Sequence, residues 1–187
     1  LCGRIKSSSG TIFFNNENIS ELPVYKRISK GIGYTFQITS IFSNLSVYEN
    51  IALAIKERSN KNNELAANIS DVLKKVELID RIHQRSGDLS YGHQRLLELA
   101  MGMAQKPKLL ILDEPTQGLS DSEIENFKSI VKNLSSVTTI LLIEHNMEVV
   151  MSLADKISVL NFGEIIAEGD KKQIKNDPFV QKAYLGS

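Results

Sequence analysis

The sequence has little of several features that indicate a protein's class at once. It holds one cysteine in 187 residues, Cys2, so no disulfide can form within the chain and a reducing compartment is expected. Lys and Arg number 22 and Asp and Glu number 22, so the formal net charge is 22 − 22 = 0, which argues against a protein held on nucleic acid by bulk charge. No apolar run reaches the ~18 residues of a membrane span. No cationic, then apolar, then small-residue start indicates a signal peptide.

The remaining composition is that of an ordinary globular domain. Hydrophobic residues make up 42% and charged residues 24%, and the length suffices for one domain with a real core. The first residue is Leu1 and not Met, and no helix cap or turn precedes it. We therefore expect the chain to have been cut from something longer at its N-terminus.

The most informative stretch is Leu109–Pro115. Its four consecutive aliphatic residues predict a strand buried on both faces, as in a parallel sheet covered by helices. Asp113 and Glu114 then lie at the carboxyl end of the strand, where ligands bind in open α/β sheets. One acid can hold Mg²⁺ while the other polarises a water. For the pair alone, solvated acids at a strand end are the more common alternative.

Periodicity elsewhere predicts an α/β fold with a parallel sheet. Helices follow one another between residues 37 and 109, which predicts a helical subdomain, and strands and helices alternate afterwards. The expected strands are 11–14, 31–37, 138–143 (also buried) and a hairpin over 157–167. The expected helices are 1–6, 25–30, 46–58, 65–76, 90–105, 121–134 and 147–154.

Four further residues are candidates for ligand contact. Ser90 and Gly92 lie at the first turn of a predicted helix, where free N–H groups and the positive dipole end favour an anion. An ordinary serine N-cap is the alternative. His145 follows a strand as Glu114 does, and so could face the same crevice and contact a phosphate, although a histidine at a helix start often has no role. Gln37, at a strand end, is the weakest candidate alone.

Together these features match five motifs in order and spacing. They resemble the Q-loop, the signature motif, Walker B with its catalytic glutamate, the D-loop and the switch histidine of ABC transporter nucleotide-binding domains. In this sequence they are Tyr34–Gln37, Leu89–Gln94, Leu109–Glu114, Gly118–Asp121 and His145 within Leu142–Met147.

The resemblance implies a P-loop NTPase-like domain over residues 1–187, with a helical subdomain inserted at about 38–106. It implies ATP and Mg²⁺ as cofactors. Catalytic roles then fall on Glu114 and His145 and metal contacts on Asp113 and Gln37. Nucleotide contacts fall on Ser90, Gly92 and Asp121, and also on Gln37.

Other stretches are similar to the ATP-binding subunits of branched-chain amino acid importers, with urea importers and the lipopolysaccharide export ATPase as close relatives. They are Phe36–Gln37 through Leu45–Ile51, Glu144–Met147, Asn176–Pro178 and Ala183–Gly186. The implied partners are a second ATP-binding subunit, identical or paralogous, and membrane permease subunits, on the cytoplasmic face of the cell membrane. Neither nucleic acid nor the transported substrate is an expected contact. An ABC protein acting on nucleic acid or ribosomes is disfavoured by the zero net charge.

The sequence departs from the family pattern in two places. Tyr91 and His93 stand where the family most often has Gly and Gln, while the phosphate-facing Ser90 and Gly92 are kept. No Gly-x-x-x-x-Gly-Lys-Ser/Thr occurs in these 187 residues, so the N-terminal strands and the P-loop are expected to be missing. We therefore expect an exposed sheet edge and, for the chain alone, poor ATPase activity. A non-catalytic remnant is the alternative.

Overall fold

The fold consists of one parallel sheet, two hairpins and eight helices among the residues that the computed structural model describes, which are 1–35, 40–55 and 62–182. Two single 3₁₀ turns, Ile79–Arg81 and Ser86–Asp88, lie between the third and fourth helices. In chain order the elements are β1 (Phe13–Phe14), β2 (Glu17–Asn18), α1 (Val24–Ser29), β3 (Ile32–Tyr34), α2 (Val47–Ala54), α3 (Asn62–Lys75), α4 (Tyr91–Ala104), β4 (Leu109–Asp113), α5 (Asp121–Leu134), β5 (Thr139–Ile143), α6 (Met147–Leu153), β6 (Ile157–Asn161), β7 (Glu164–Gly169), α7 (Lys171–Asn176) and α8 (Pro178–Val180).

The sheet that positions the candidate site has the order β3-β4-β5, and both pairings are parallel. The central strand β4 is buried as predicted, with Leu110, Ile111 and Leu112 at most 2% exposed. The prediction that β5 is also buried is wrong, because Leu141 is 38% and Ile143 46% exposed. The apolar pattern of β5 resembles that of β4, but β5 lies at one edge of the described part of the sheet, whereas β4 is central.

The two faces of the sheet are covered by different elements. On one face, α4 packs so closely that a Cβ on its Gly102 would lie 3.0 Å from Leu110 Cδ1. On the other face, Ile32 and Ile111 pack with Ile19, which follows the β1–β2 hairpin. Successive side chains of β4 therefore point alternately to the helix and to the hairpin, as the pleat of a strand requires.

Helices α2, α3 and α4 pack against one another between β3 and β4 in the chain. The predicted capping box opens α2: the Glu49 carboxylate accepts from the Ser46 N–H at 2.7 Å, and the Ser46 hydroxyl accepts from the Glu49 N–H at 3.2 Å. The subdomain boundary at about 38–106 stays a prediction, because these helices lie in the same compact unit as the sheet, Leu1–Ile143. No helix within the described ranges has the length and apolarity to cross a bilayer.

The second compact unit is Glu144–Ser187. Its β6–β7 hairpin is antiparallel and turns at Phe162 and Gly163, which both have positive φ (48° and 85°). Ile157 and Val159 of the hairpin pack with Ile174 and Val180 of the closing helices. The predicted hairpin is confirmed.

Some predictions fail or lie outside the described residues. Residues 1–6 are not helical. Gly3 has a φ of 81°, a left-handed conformation that does not continue a right-handed helix. Gln37, the last residues of the predicted 46–58 helix, and Ala183–Gly186 lie outside the described ranges.

Candidate functional site

The predicted acids lie at the carboxyl end of β4. Asp113 is the last residue of the strand and Glu114 follows it, and both are half-buried. The Glu114 N–H donates to the Ile143 carbonyl at 2.9 Å, which continues the pairing with β5 by one residue. Glu114 has a φ of 46°, a left-handed conformation that side-chain-bearing residues adopt at a cost. Such conformations cluster at functional sites.

Tyr34 is a site residue that the sequence analysis missed. Its hydroxyl donates to Asp113 Oδ2 at 2.8 Å, so one oxygen of that carboxylate is oriented by the neighbouring strand. Burial, followed by the bond to Asp113, raises the pKa of the Tyr34 phenol, which therefore remains a donor at neutral pH. The signal was available, since Tyr34 is two residues after the buried Ile32 and so faces the same side of β3.

The helix α4 begins as the sequence predicts, with Ser90 as its N-cap. The Ser90 hydroxyl lies 2.8 Å from His93 Nδ1 and 3.4 Å from the His93 backbone N–H. Burial and the charge of Arg81 lower the pKa of the His93 imidazole, which favours the neutral ring at neutral pH. This turn therefore offers N–H groups and a hydroxyl to an anion.

A second helix start lies against the first. Glu123 accepts from both the backbone N–H (2.9 Å) and the hydroxyl (2.8 Å) of Ser120, and its other oxygen occupies the space where a side chain on Gly92 would lie. The structure thus gives Gly92 a packing reason in addition to the predicted ligand approach. Asp121 is exposed at the first position of α5. Sequence analysis missed Glu123, although Ser-x-x-Glu is a capping-box signature.

The described structure does not test two of the predicted site residues. His145 belongs to the second unit, where the Glu144 carboxylate accepts from its backbone N–H at 3.1 Å. Its approach to Glu114 stays a prediction, as does the role of Gln37. Within the described ranges, no three His, Cys, Asp or Glu side chains group closely enough to hold a metal alone.

Comparison with known proteins identifies the family. The ABC transporter family model matches residues 1–117, more than half of the chain. The chain belongs to the ABC transporter family. The resemblance drawn from the five motifs is thereby confirmed, and members of this family bind ATP and work with membrane permease components.

The chain is 36% identical to the high-affinity branched-chain amino acid transport ATP-binding protein BraF of Pseudomonas aeruginosa, covering 100% of this chain and 80% of that protein. It is 32% identical to the lipopolysaccharide export system ATP-binding protein LptB of Haemophilus influenzae, covering 100% of this chain and 78% of that protein. A solved structure of MJ1267, an ATP-binding cassette of an ABC transporter, superposes with a TM-score of 0.88 at 28% identity, over 99% of this chain and 80% of that one. The α/β ABC ATPase fold is confirmed.

Proposed function

We propose that this protein is the ATP-hydrolysing subunit of an ABC importer for branched-chain amino acids. Hydrolysis rests on one observation above all, the pair of acids at the end of β4 with Glu114 held in a left-handed backbone conformation. The substrate class rests on the 36% identity to BraF over the whole chain.

In this proposal Glu114 is the general base that takes a proton from the attacking water. Asp113 orients Mg²⁺, directly or through water, together with nucleotide phosphate oxygens, since Mg²⁺ is usually held by one or two carboxylates plus phosphates. The bound Mg²⁺ supplies charge neutralisation to the phosphates. Asp113 suits this role, because the Tyr34 hydroxyl orients one of its oxygens and the carboxylate is only half-buried.

The turn at Ser90 and Gly92 binds the γ-phosphate of ATP held by a second ATP-binding subunit, so two subunits pair head to tail. Asp121 lies beside the nucleotide at the same interface. His145 contacts the γ-phosphate, and Gln37 responds to Mg²⁺ and the attacking water. The available support for the Ser90 turn is its hydroxyl and its N-terminal helical N–H groups.

The helices around α2–α4 dock on a membrane permease, which places the protein at the cytoplasmic face of the cell membrane. The transported molecule does not touch this subunit.

A lipopolysaccharide transporter is the second candidate, because the chain is also 32% identical to LptB over its whole length. Leucine uptake by cells that carry or lack the gene separates the two candidates. Only the proposal of a branched-chain amino acid importer predicts that cells lacking the gene lose leucine uptake.

The test of hydrolysis is ATP turnover by the 187-residue chain and by a version with any natural sequence that precedes Leu1. Each is measured beside Glu114→Gln, which keeps the size and removes the base. We expect Glu114→Gln to lower turnover by about 10²- to 10⁴-fold, the range for a general base. Activity that Glu114→Gln leaves unchanged contradicts the proposal. No activity in either version supports the non-catalytic remnant.

A further inference from the structure

A buried ion pair lies within the first two turns of α4. Arg95 Nη1 and Glu98 Oε2 are 2.9 Å apart, and the two side chains are 4% and 6% exposed. Apolar residues of similar volume usually serve stability as well as a buried ion pair does, because both charges lose their hydration. The pair therefore calls for an explanation other than stability.

Glu98 connects α4 to the chain that follows β3. Its second oxygen, Oε1, accepts a hydrogen bond from the backbone N–H of Ser40, which is three residues after Gln37 in the sequence. Burial raises the pKa of the Glu98 carboxyl, while the Ser40 N–H and Arg95 act in the opposite direction. Glu98 thus joins two segments that are 58 residues apart in the chain.

Arg95 connects the same helix to the loop before α5. Its guanidinium lies 5.3 Å from the centroid of the Tyr91 ring, within the range of a cation–π contact. The Tyr91 ring in turn covers Gly118, where a Cβ would lie 3.1 Å from Tyr91 Cε1. Gly118 has a φ of 80°, so this contact is made at a turn that favours glycine.

We propose that Arg95 and Glu98 are positioning residues that hold three segments in register: the chain at Ser40, the α4 turn that carries Ser90, and the loop at Gly118. The contacts form one continuous series along a single helix face, from Ser40 through Glu98, Arg95 and Tyr91 to Gly118. A shift of the chain at Ser40 or of the loop at Gly118 is therefore passed to the start of α4. This inference rests on the proposed function, since it assigns the pair a part in ATP turnover.

The test uses Arg95→Met, Glu98→Leu, the double variant and a swapped pair, Arg95→Glu/Glu98→Arg, in the protein with any natural sequence that precedes Leu1. Each single variant leaves a buried charge and is expected to unfold more readily. The double variant keeps the volume and should melt near the parent. We expect its Ser40 amide to exchange about tenfold faster and its kcat to fall about tenfold, with KM for ATP nearly unchanged.

The swapped pair separates positioning from stability. It restores an ion pair, but an arginine at position 98 has no acceptor for the Ser40 N–H. We therefore expect melting to recover while kcat and Ser40 exchange do not. A merely structural pair predicts that kcat recovers together with melting, since the loss of the Ser40 bond would then raise Ser40 exchange without affecting turnover. The exposed pair Asp71–Lys75 of α3 is the matched control, and Asp71→Asn/Lys75→Met should leave kcat unchanged.

Glu114→Gln in the same protein separates this inference from the proposed function. Without Glu114-dependent turnover the proposed function fails, and Ser40 exchange in the double variant then decides whether the pair holds the segment at Ser40. With such turnover, a double variant that keeps the parental kcat and the parental Ser40 exchange overturns the inference.

Discussion

Helices α4 and α5 both begin after a serine but differ in how the third helical residue meets that serine. Both have 14 residues, and both follow a serine N-cap. The third helical residue is His93 in α4 and Glu123 in α5. Glu123 accepts from the N–H and the hydroxyl of Ser120, whereas the Ser90 hydroxyl is 2.8 Å from the His93 ring and meets a backbone N–H only at 3.4 Å.

The difference separates a helix start whose donors are met by an acid of its own turn from one that can offer its donors to an anion. A carboxylate at the third position satisfies donors of α5 and offsets the positive end of its dipole. A neutral imidazole leaves the N-terminal charge of α4 without an acid from its own turn. A carboxylate from another helix, that of Glu123, packs over Gly92.

The largest expected difference between the two helices is in ATP turnover when each N-cap serine is replaced separately by alanine. Ser90→Ala should lower ATP turnover by about 10- to 100-fold, because a hydrogen bond to a charged group contributes about 1.5–3 kcal/mol. Ser120→Ala should leave turnover near parental and lower the unfolding free energy by about 1 kcal/mol, the usual cost of a lost N-cap. Steady-state kinetics and urea unfolding of both variants measure the two effects. Equal losses of turnover would remove the distinction between the helices.

The contact between Gly92 and Glu123 can be tested by a double-mutant cycle. Gly92→Ala places a methyl group against Glu123 and should cost about 1 kcal/mol of unfolding free energy, because the carboxylate must leave the Ser120 cap that it closes. In a Glu123→Ala background the same change should be neutral or stabilising, since alanine favours a helix over glycine by about 1 kcal/mol. A cost that is the same in both backgrounds would show that Glu123 does not cover Gly92.

The smallest effect is the pH dependence carried by His93. Burial and Arg81 lower its pKa in the folded state, opposed in part by Glu123. The folded protein then binds fewer protons than the unfolded chain, so this contribution to stability is present above the ordinary histidine pKa and is lost as the pH falls. Between pH 7.5 and pH 5.5 the parent should lose more unfolding free energy than His93→Gln does. The difference should be less than about 0.5 kcal/mol, because the ring is partly exposed. Urea unfolding at pH 7.5 and pH 5.5 measures it, and a parent that gains stability at pH 5.5 contradicts the assignment.

Local patterns predicted most of the elements that build the site. The apolar run before Asp113 identified β4, and the serine-led starts identified α2 and α4, because a buried strand and a helix cap depend on a few consecutive residues. The Ser120–Glu123 capping box was equally readable and was missed. This capping box, which begins α5, involves only four consecutive residues.

Contacts between distant segments were not predictable from such patterns. The bond from Tyr34 to Asp113 joins residues 79 positions apart, and its exact pairing depends on the register of β3 against β4. The exposure of β5 depends on strand order in the sheet, which an apolar run does not encode. The packing of Glu123 over Gly92 likewise requires the relative placement of two helices.

The most direct test of the account is the mass of the Glu114→Gln protein, with any natural sequence that precedes Leu1, measured by light scattering with and without Mg²⁺ and ATP. The account predicts a dimer that forms only with ATP, because hydrolysis is blocked and each Ser90 turn binds the nucleotide of the other copy. Adding Ser90→Ala should abolish that dimer, and adding Ser120→Ala should not. A dimer that both alanine variants affect equally would contradict it, as would a protein that stays monomeric with ATP both alone and mixed with a paralogous ATP-binding subunit.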